Sequence, residues 1–190
     1  DTLIFEGEYL NNKRNGKGIE YYFFGKIIFK GQYLNGKRWN GKGYDEKGNI
    51  INELNDGKGL IKEYRHAGNI LEFEGEYLNG ERNGKGKEYY DNGNLKFDGE
   101  YLNGKKWTGI GYNRMNNIEY ELKDGKGLIK EYKDYDPFYD DFYFEAEYLN
   151  GAINGKGKYY YNGKLEFEGE YLNNKRNGKG KEYYRNGKLR

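Results

Sequence analysis

Carboxylates and ammonium groups return along this chain at fixed spacings, and they are the first groups to weigh for chemistry. Glu8, Glu76, Glu100, Glu147 and Glu170 each precede a tyrosine, while Lys17, Lys42, Lys58, Lys85, Lys126, Lys156 and Lys179 each lie between two glycines. Paired carboxylates perform acid–base catalysis when their surroundings differ and hold one of them protonated. A group repeated in every unit meets the same surroundings each time, so these acids and bases read as cross-strand charge pairs on a solvated face. The chain has no serine, no cysteine and one histidine, His66, within Arg65-His66-Ala67-Gly68. A serine or cysteine nucleophile beside a histidine base therefore cannot be assembled, and His66 reads as a solvated turn residue. Gly36 to Lys42 matches a phosphate loop in letters only, because Gly43 stands where the magnesium-binding hydroxyl is needed. No catalytic residue and no cofactor is expected.

Two further clusters could bind rather than react. Asp134, Asp136, Asp140 and Asp141 offer hard oxygen donors, but their spacing lacks the glycine and glutamate of a calcium-binding EF-hand loop. A protruding loop that touches a partner is the expected role, and a metal site is not. The second cluster is basic: Lys13, Arg14, Lys37, Arg38, Arg82, Lys105, Lys106, Lys175 and Arg176, with Trp39 and Trp107. If the turns carrying them line up on one rim, that rim suits a partner or anionic lipid head groups, at about 1 kcal/mol per basic residue near the surface.

Composition narrows the scaffold that must position these groups. The mean hydropathy is −1.23 and the hydrophobic fraction 35%, but 23 tyrosines and 10 phenylalanines bring the aromatic share to 18%. Rings bury large areas per residue, and valine is absent, so a thin sheet with an aromatic face fits better than a thick core. With 33 basic and 31 acidic residues the net charge is +2, which gives nucleic acid no general attraction. The absence of cysteine excludes disulfides. There is no apolar run of about 18 residues and no charged-apolar-small leader, and a cytoplasmic location, with membrane association as the variant, is expected.

One pattern organises everything else. Phe5-Glu6-Gly7-Glu8-Tyr9 returns at Phe29, Phe73, Phe97, Phe144 and Phe167, and Gly-x-Gly occurs eight times. The opening pattern, an Asn/Gly turn, Gly-Lys-Gly and a tyrosine pair alternate apolar and polar residues with period two, which is β-hairpin patterning. Two units, Asn52 to Tyr64 and Tyr120 to Tyr132, keep Gly-x-Gly but lose the opening and shorten the turn. A longer period of 68 residues relates Phe5 to Phe73, Trp39 to Trp107 and Gly57 to Gly125, so three consecutive units were duplicated together. The boundaries fall near 5–28, 29–50, 51–72, 73–96, 97–118, 119–143, 144–166 and 167–190, as one array. The expected fold is all-β: a single-layer, twisted antiparallel meander of stacked hairpins, about sixteen strands in one continuous ladder. Gly7, Gly75, Gly99 and Gly169 share parity with their flanking rings (Phe5 and Tyr9, Phe73 and Tyr77, Phe97 and Tyr101, Phe167 and Tyr171). A ring from a neighbouring strand is expected to cover each bare backbone.

The run Phe167-Glu-Gly-Glu-Tyr-Leu-Asn-Asn-Lys-Arg-Asn-Gly-Lys-Gly-Lys-Glu-Tyr-Tyr184 resembles the MORN (membrane occupation and recognition nexus) repeat. The resemblance covers nearly the whole chain in about eight units, with Ala146 and Ile110 as departures. It implies a non-catalytic scaffold for protein interaction or assembly. The alternatives it brings are association with anionic, phosphoinositide-type membrane lipids to position an attached domain, and an antitoxin-like neutralising partner. Leu3-Ile4 reads as the tail of a preceding unit and Leu189-Arg190 stops where another phenylalanine would begin. Self-association through sheet edges is therefore expected beside a protein partner.

Overall fold

The computed structural model describes residues 2–22, 24–65, 70–132 and 142–190. Among these there are sixteen strands and no helix, divided between two units, residues 1–88 and 89–190. In the first unit, β1 (Phe5–Leu10), β2 (Lys13–Tyr21), β3 (Ile27–Leu34), β4 (Lys37–Tyr44) and β5 (Ile50–Leu54) pair antiparallel in sequence order. The strands β6 (Gly59–Tyr64), β7 (Leu71–Leu78) and β8 (Glu81–Tyr89) form a second ladder. In the second unit, β9 (Leu95–Leu102), β10 (Lys105–Tyr112) and β11 (Ile118–Leu122) pair in order. There, β12 (Lys126–Tyr132), β13 (Phe142–Leu149), β14 (Ala152–Tyr161), β15 (Lys164–Leu172) and β16 (Lys175–Glu182) form a five-stranded sheet.

The hairpin turns follow from asparagine and glycine. Asn35 and Gly36 have φ of 52° and 90°, and Asn11 and Asn12 have φ of 50° and 61°. A two-residue turn whose central residues both have positive φ matches the right-handed twist of the strands it joins. The turns are also stitched to one another: the Gly36 amide donates to the Arg14 carbonyl at 2.8 Å and the Asn174 amide to the Ile153 carbonyl at 3.0 Å.

The ladder expected to be continuous is interrupted after β5 and after β11, at the two units that lack the aromatic opening. Across the first break the two strands share only the isolated bridge Asn55↔Lys58, and the Gly57 amide donates to the Trp39 carbonyl at 2.8 Å. The Asn52 amide group replaces the missing ladder bonds. It accepts from the Lys62 amide at 2.6 Å and donates to the Lys62 carbonyl at 2.8 Å. At the duplicated break Tyr120 holds that place, its ring against Gly111 and its hydroxyl donating to Glu131 at 2.6 Å.

Glycines face glycines across the strands. The register joins Gly7, Gly18, Gly31 and Gly41 in one row over β1 to β4, and Ala146, Gly157, Gly169 and Gly180 in another over β13 to β16. The cover expected from a neighbouring strand comes first from the same strand. A Cβ on Gly75 would lie 2.7 Å from the Phe73 ring, and one on Gly169 2.7 Å from the Phe167 ring. Phe5, Phe97 and Phe167 lean along their own strands over the glycine two positions on, and their edges reach the facing glycine. Phe5 thus covers Gly18 as well, where Tyr33 of the next hairpin adds a second ring. Phe73 and Phe97 are 0% exposed and Phe29 2%.

Candidate interaction surface

The aromatic face is closed by its own side chains. Above five of the phenylalanines lies a base that follows the hairpin turn: Arg14 over Phe5 and Arg82 over Phe73 at 4.1 Å, Arg176 over Phe167 at 3.9 Å. Arg38 covers Phe29 at 5.2 Å and Lys106 covers Phe97 at 5.1 Å. Each base also holds a carboxylate. Glu20 accepts from Arg14 at 3.1 Å and from Arg38 at 2.7 Å, and takes the Tyr33 hydroxyl at 3.3 Å. Glu63 pairs with Arg82 at 2.6 Å and accepts the Tyr77 hydroxyl. Glu131 pairs with Lys106 at 2.5 Å, and Arg176 with Glu182 at 2.8 Å.

These clusters set the ionisation of their members. Burial alone would raise the Glu20 carboxyl, but Arg38 and Arg14 outweigh it and hold the group below the usual glutamate range. Burial, reinforced by the neighbouring carboxylate, pushes the Tyr33 and Tyr77 hydroxyls well above the ordinary tyrosine value. Tyr120 moves the same way through burial, against the opposing pull of Lys106. Charge, hydrogen bond and ring are all used inside the molecule.

The residues foreseen as a basic rim therefore divide. Arg14, Arg38, Arg82, Lys106 and Arg176 turn onto the aromatic face. Lys37 pairs with Glu81 at 2.7 Å, and Lys105 reaches the Asn150 carbonyl at 3.5 Å. Lys13 and Lys175 are exposed. Trp39 and Trp107 are half-buried, each packed on the glycine of the tight turn that follows, Gly57 and Gly125. Asp134, Asp136, Asp140, Asp141 and His66 lie outside the described residues.

The recurring glutamates do something other than meet lysine ammonium groups. Glu8, Glu76, Glu147 and Glu170 stand at β-bulges and fold over the first glycine of Gly-x-Gly, where a Cβ would collide with the carboxylate. Three of them accept the backbone amide of the lysine: Lys156 to Glu147 at 2.8 Å, Lys179 to Glu170 at 3.2 Å and Lys85 to Glu76 at 3.4 Å. Those glycines have φ between 71° and 102°, open to glycine and costly for other residues. Glu100, in the tryptophan-bearing hairpin, pairs with Thr108 instead. The pattern Glu-x₇-Gly carried this signal, since only a bulge places those residues face to face.

A charge ladder with unbroken register lies two residues before these glutamates. Across the second unit's five-stranded sheet Lys130, Glu145, Lys158, Glu168 and Lys181 follow one another in register with strict alternation of sign. Lys181 reaches Glu168 at 3.5 Å and Lys130 reaches Glu145 at 4.0 Å. With the parallel row Glu147, Lys156, Glu170 and Lys179, this ladder walls a groove of about 890 Å³ whose floor is Gly157, Gly169 and Gly180. The groove follows from strand alternation: the two charged rows point to this side, the glycines between them face the rings on the other, and backbone is left as the floor. The first unit has a smaller groove, about 580 Å³, over Gly7, Gly18 and Gly31.

A protein-family model described as MORN repeat matches residues 5–23, 73–95, 144–164 and 167–188. Each matched stretch holds one of the four hairpins in which a glutamate folds over a Gly-x-Gly glycine. No curated protein matches the chain.

Proposed function

We propose that this chain, which belongs to the MORN repeat family, is a scaffold that holds a protein partner on the charged, glycine-floored face of its sheets. The family is a non-catalytic repeat family whose members commonly serve as scaffolds in protein or membrane interaction. What carries the protein reading is the groove of the second unit, open to solvent and lined by both signs of charge in register. Such a surface offers a polypeptide matched positive and negative contacts, which give specificity more than raw affinity. An anionic bilayer wants one sign, and the bases foreseen as its contacts are in large part paired with carboxylates over rings. The recurring polar clusters repeat a structural role in each hairpin, which supports the absence of catalysis.

The test is affinity capture from the native cell with the intact chain and with Glu145→Lys/Glu168→Lys, which makes the ladder wholly basic. The reading expects a defined protein set retained by the first and lost by the second, with unchanged circular dichroism. Equal capture by both contradicts it, as does flotation of the chain with phosphatidylserine vesicles in low salt.

A further inference from the structure

Two positions related by the internal duplication carry charges that folding does not require. On the polar face of the first unit Lys30 stands directly opposite Lys42 across β3 and β4, and Lys17 faces Gln32 across β2 and β3. Like charges opposite one another weaken a sheet. In the duplicate, 68 residues on, Asp98 replaces Lys30, Ile110 replaces Lys42 and Glu100 replaces Gln32. There Asp98 and Ile110 pair in the same register. The whole row runs Glu6, Ile19, Lys30, Lys42 and Glu53, so Lys42 also faces Glu53, with which it forms no ion pair. The ladder forms with either sign at these two positions, and the Lys30–Lys42 contact is the part of it that pairing does not explain.

Lys17, Lys30 and Lys42 are exposed. Ion pairs of this unit include those of Arg14 and Arg38 with Glu20, Lys37 with Glu81, Lys62 with Glu74, Arg65 with Glu72 and Arg82 with Glu63. None takes these three lysines. Glu6, at the end of the row, already accepts the Tyr21 hydroxyl at 2.8 Å. Lys17 and Lys30 line the 580 Å³ groove with Gln32 beside them, and Lys42 continues the row.

We infer that this groove binds an acidic segment of a protein partner, with Lys30 and Lys42 clamping one carboxylate and Lys17 meeting the next. Adjacent strands are about 4.8 Å apart, so two opposed lysines can converge on one carboxylate. The glycine floor admits the main chain of an extended peptide between the charged rows, and the Gln32 amide can bond to it. A flat membrane surface would meet the lysine tips and leave that floor unused. The inference names a partner chemistry for the scaffold reading and rests on it.

Fluorescence anisotropy with labelled hexaglutamate peptide tests it directly on the whole chain. The decisive variant is Lys30→Asp/Lys42→Ile, which copies residues the duplicate already folds with. The control is Lys164→Glu/Lys188→Gln, an equal change of charge at two exposed lysines that line neither groove. Saturable binding is expected, weakened about tenfold in the first variant, little changed in the control, and reduced by added salt. The absence of saturable binding overturns the inference, and so does equal affinity in the two variants. Phosphatidylserine vesicle flotation that needs Lys30 and Lys42, with no peptide binding, overturns it in favour of a lipid. If hexaglutamate fails while the capture experiment succeeds, this inference falls and the scaffold reading stands. If hexaglutamate binds while capture does not depend on Glu145 and Glu168, the second unit's groove falls as the place of contact and the lysine groove of the first unit takes its place in the scaffold reading.

Discussion

Glu20 shows how single residues hold the aromatic face shut. Its carboxylate joins two arginines and a tyrosine from three different strands. Because its folded ionisation constant lies below the unfolded one, the cluster contributes stability above the ordinary glutamate value of about 4.3. That contribution is lost as pH falls from there through the folded value. Urea unfolding as a function of pH should therefore show stability falling on acidification in the intact chain, and less steeply in Glu20→Gln. The substitution itself should cost about 1–3 kcal/mol at neutral pH, since buried donors lose a charged partner. The tyrosines carry the opposite sign. Tyr33, Tyr77 and Tyr120 are raised, so their contribution is intact below about pH 10 and lost as pH climbs through the folded values. Absorbance titration should find these hydroxyls ionising above the ordinary tyrosine range, together with unfolding.

At the scale of the element, the hairpin depends on bare backbone under a ring. A Cβ on Gly18 would lie 2.6 Å from the Phe5 ring, so Gly18→Ala should lower stability by about 1–3 kcal/mol through overpacking. A Cβ on Gly93 would meet nothing within 4 Å, although φ there is 81°. Gly93→Ala should cost only backbone strain, on the order of 1 kcal/mol. Paired denaturation curves separate the two mechanisms, and equal costs would contradict the ring-over-glycine account. The corner between β5 and β6 adds a third expectation. Asn52→Ala strands an amide and a carbonyl of Lys62, and a loss of about 1–3 kcal/mol should follow. Strand existence, turn chemistry and glycine parity were legible in the sequence, because period two and Asn-Gly turns state them locally. The corner was not. Asn52 and Tyr120 occupy one place in the duplication and look unrelated as letters. Only in space do both span the gap, one by amide bonds and the other by ring and hydroxyl.

For the whole molecule, the partition of charge decides where another molecule can be held. The sequence marked the right residue types and misplaced their faces. Lys13-Arg14 and Lys37-Arg38 read as one basic rim, yet adjacent strand residues point to opposite sides. The arginine therefore goes to the rings while the lysine stays out. Likewise Glu8 and its counterparts read as a ladder; Glu170 does face Lys156, but bulges fold these carboxylates over glycine, and the ladder with unbroken register is that of Glu145 and Glu168 with lysine. A bulge shifts register by a residue count that no local pattern announces. The account makes the glycine-floored charged face the place of contact and the aromatic face an internal seal. Lysine-reactivity footprinting of the chain, free and bound to the partner it captures, tests this most directly. The prediction is protection of Lys156, Lys158, Lys179 and Lys181, with Lys106 slow to react in both states. Unchanged reactivity of those four, with protection confined to Lys13, Lys105 and Lys175 at the turns, would contradict it.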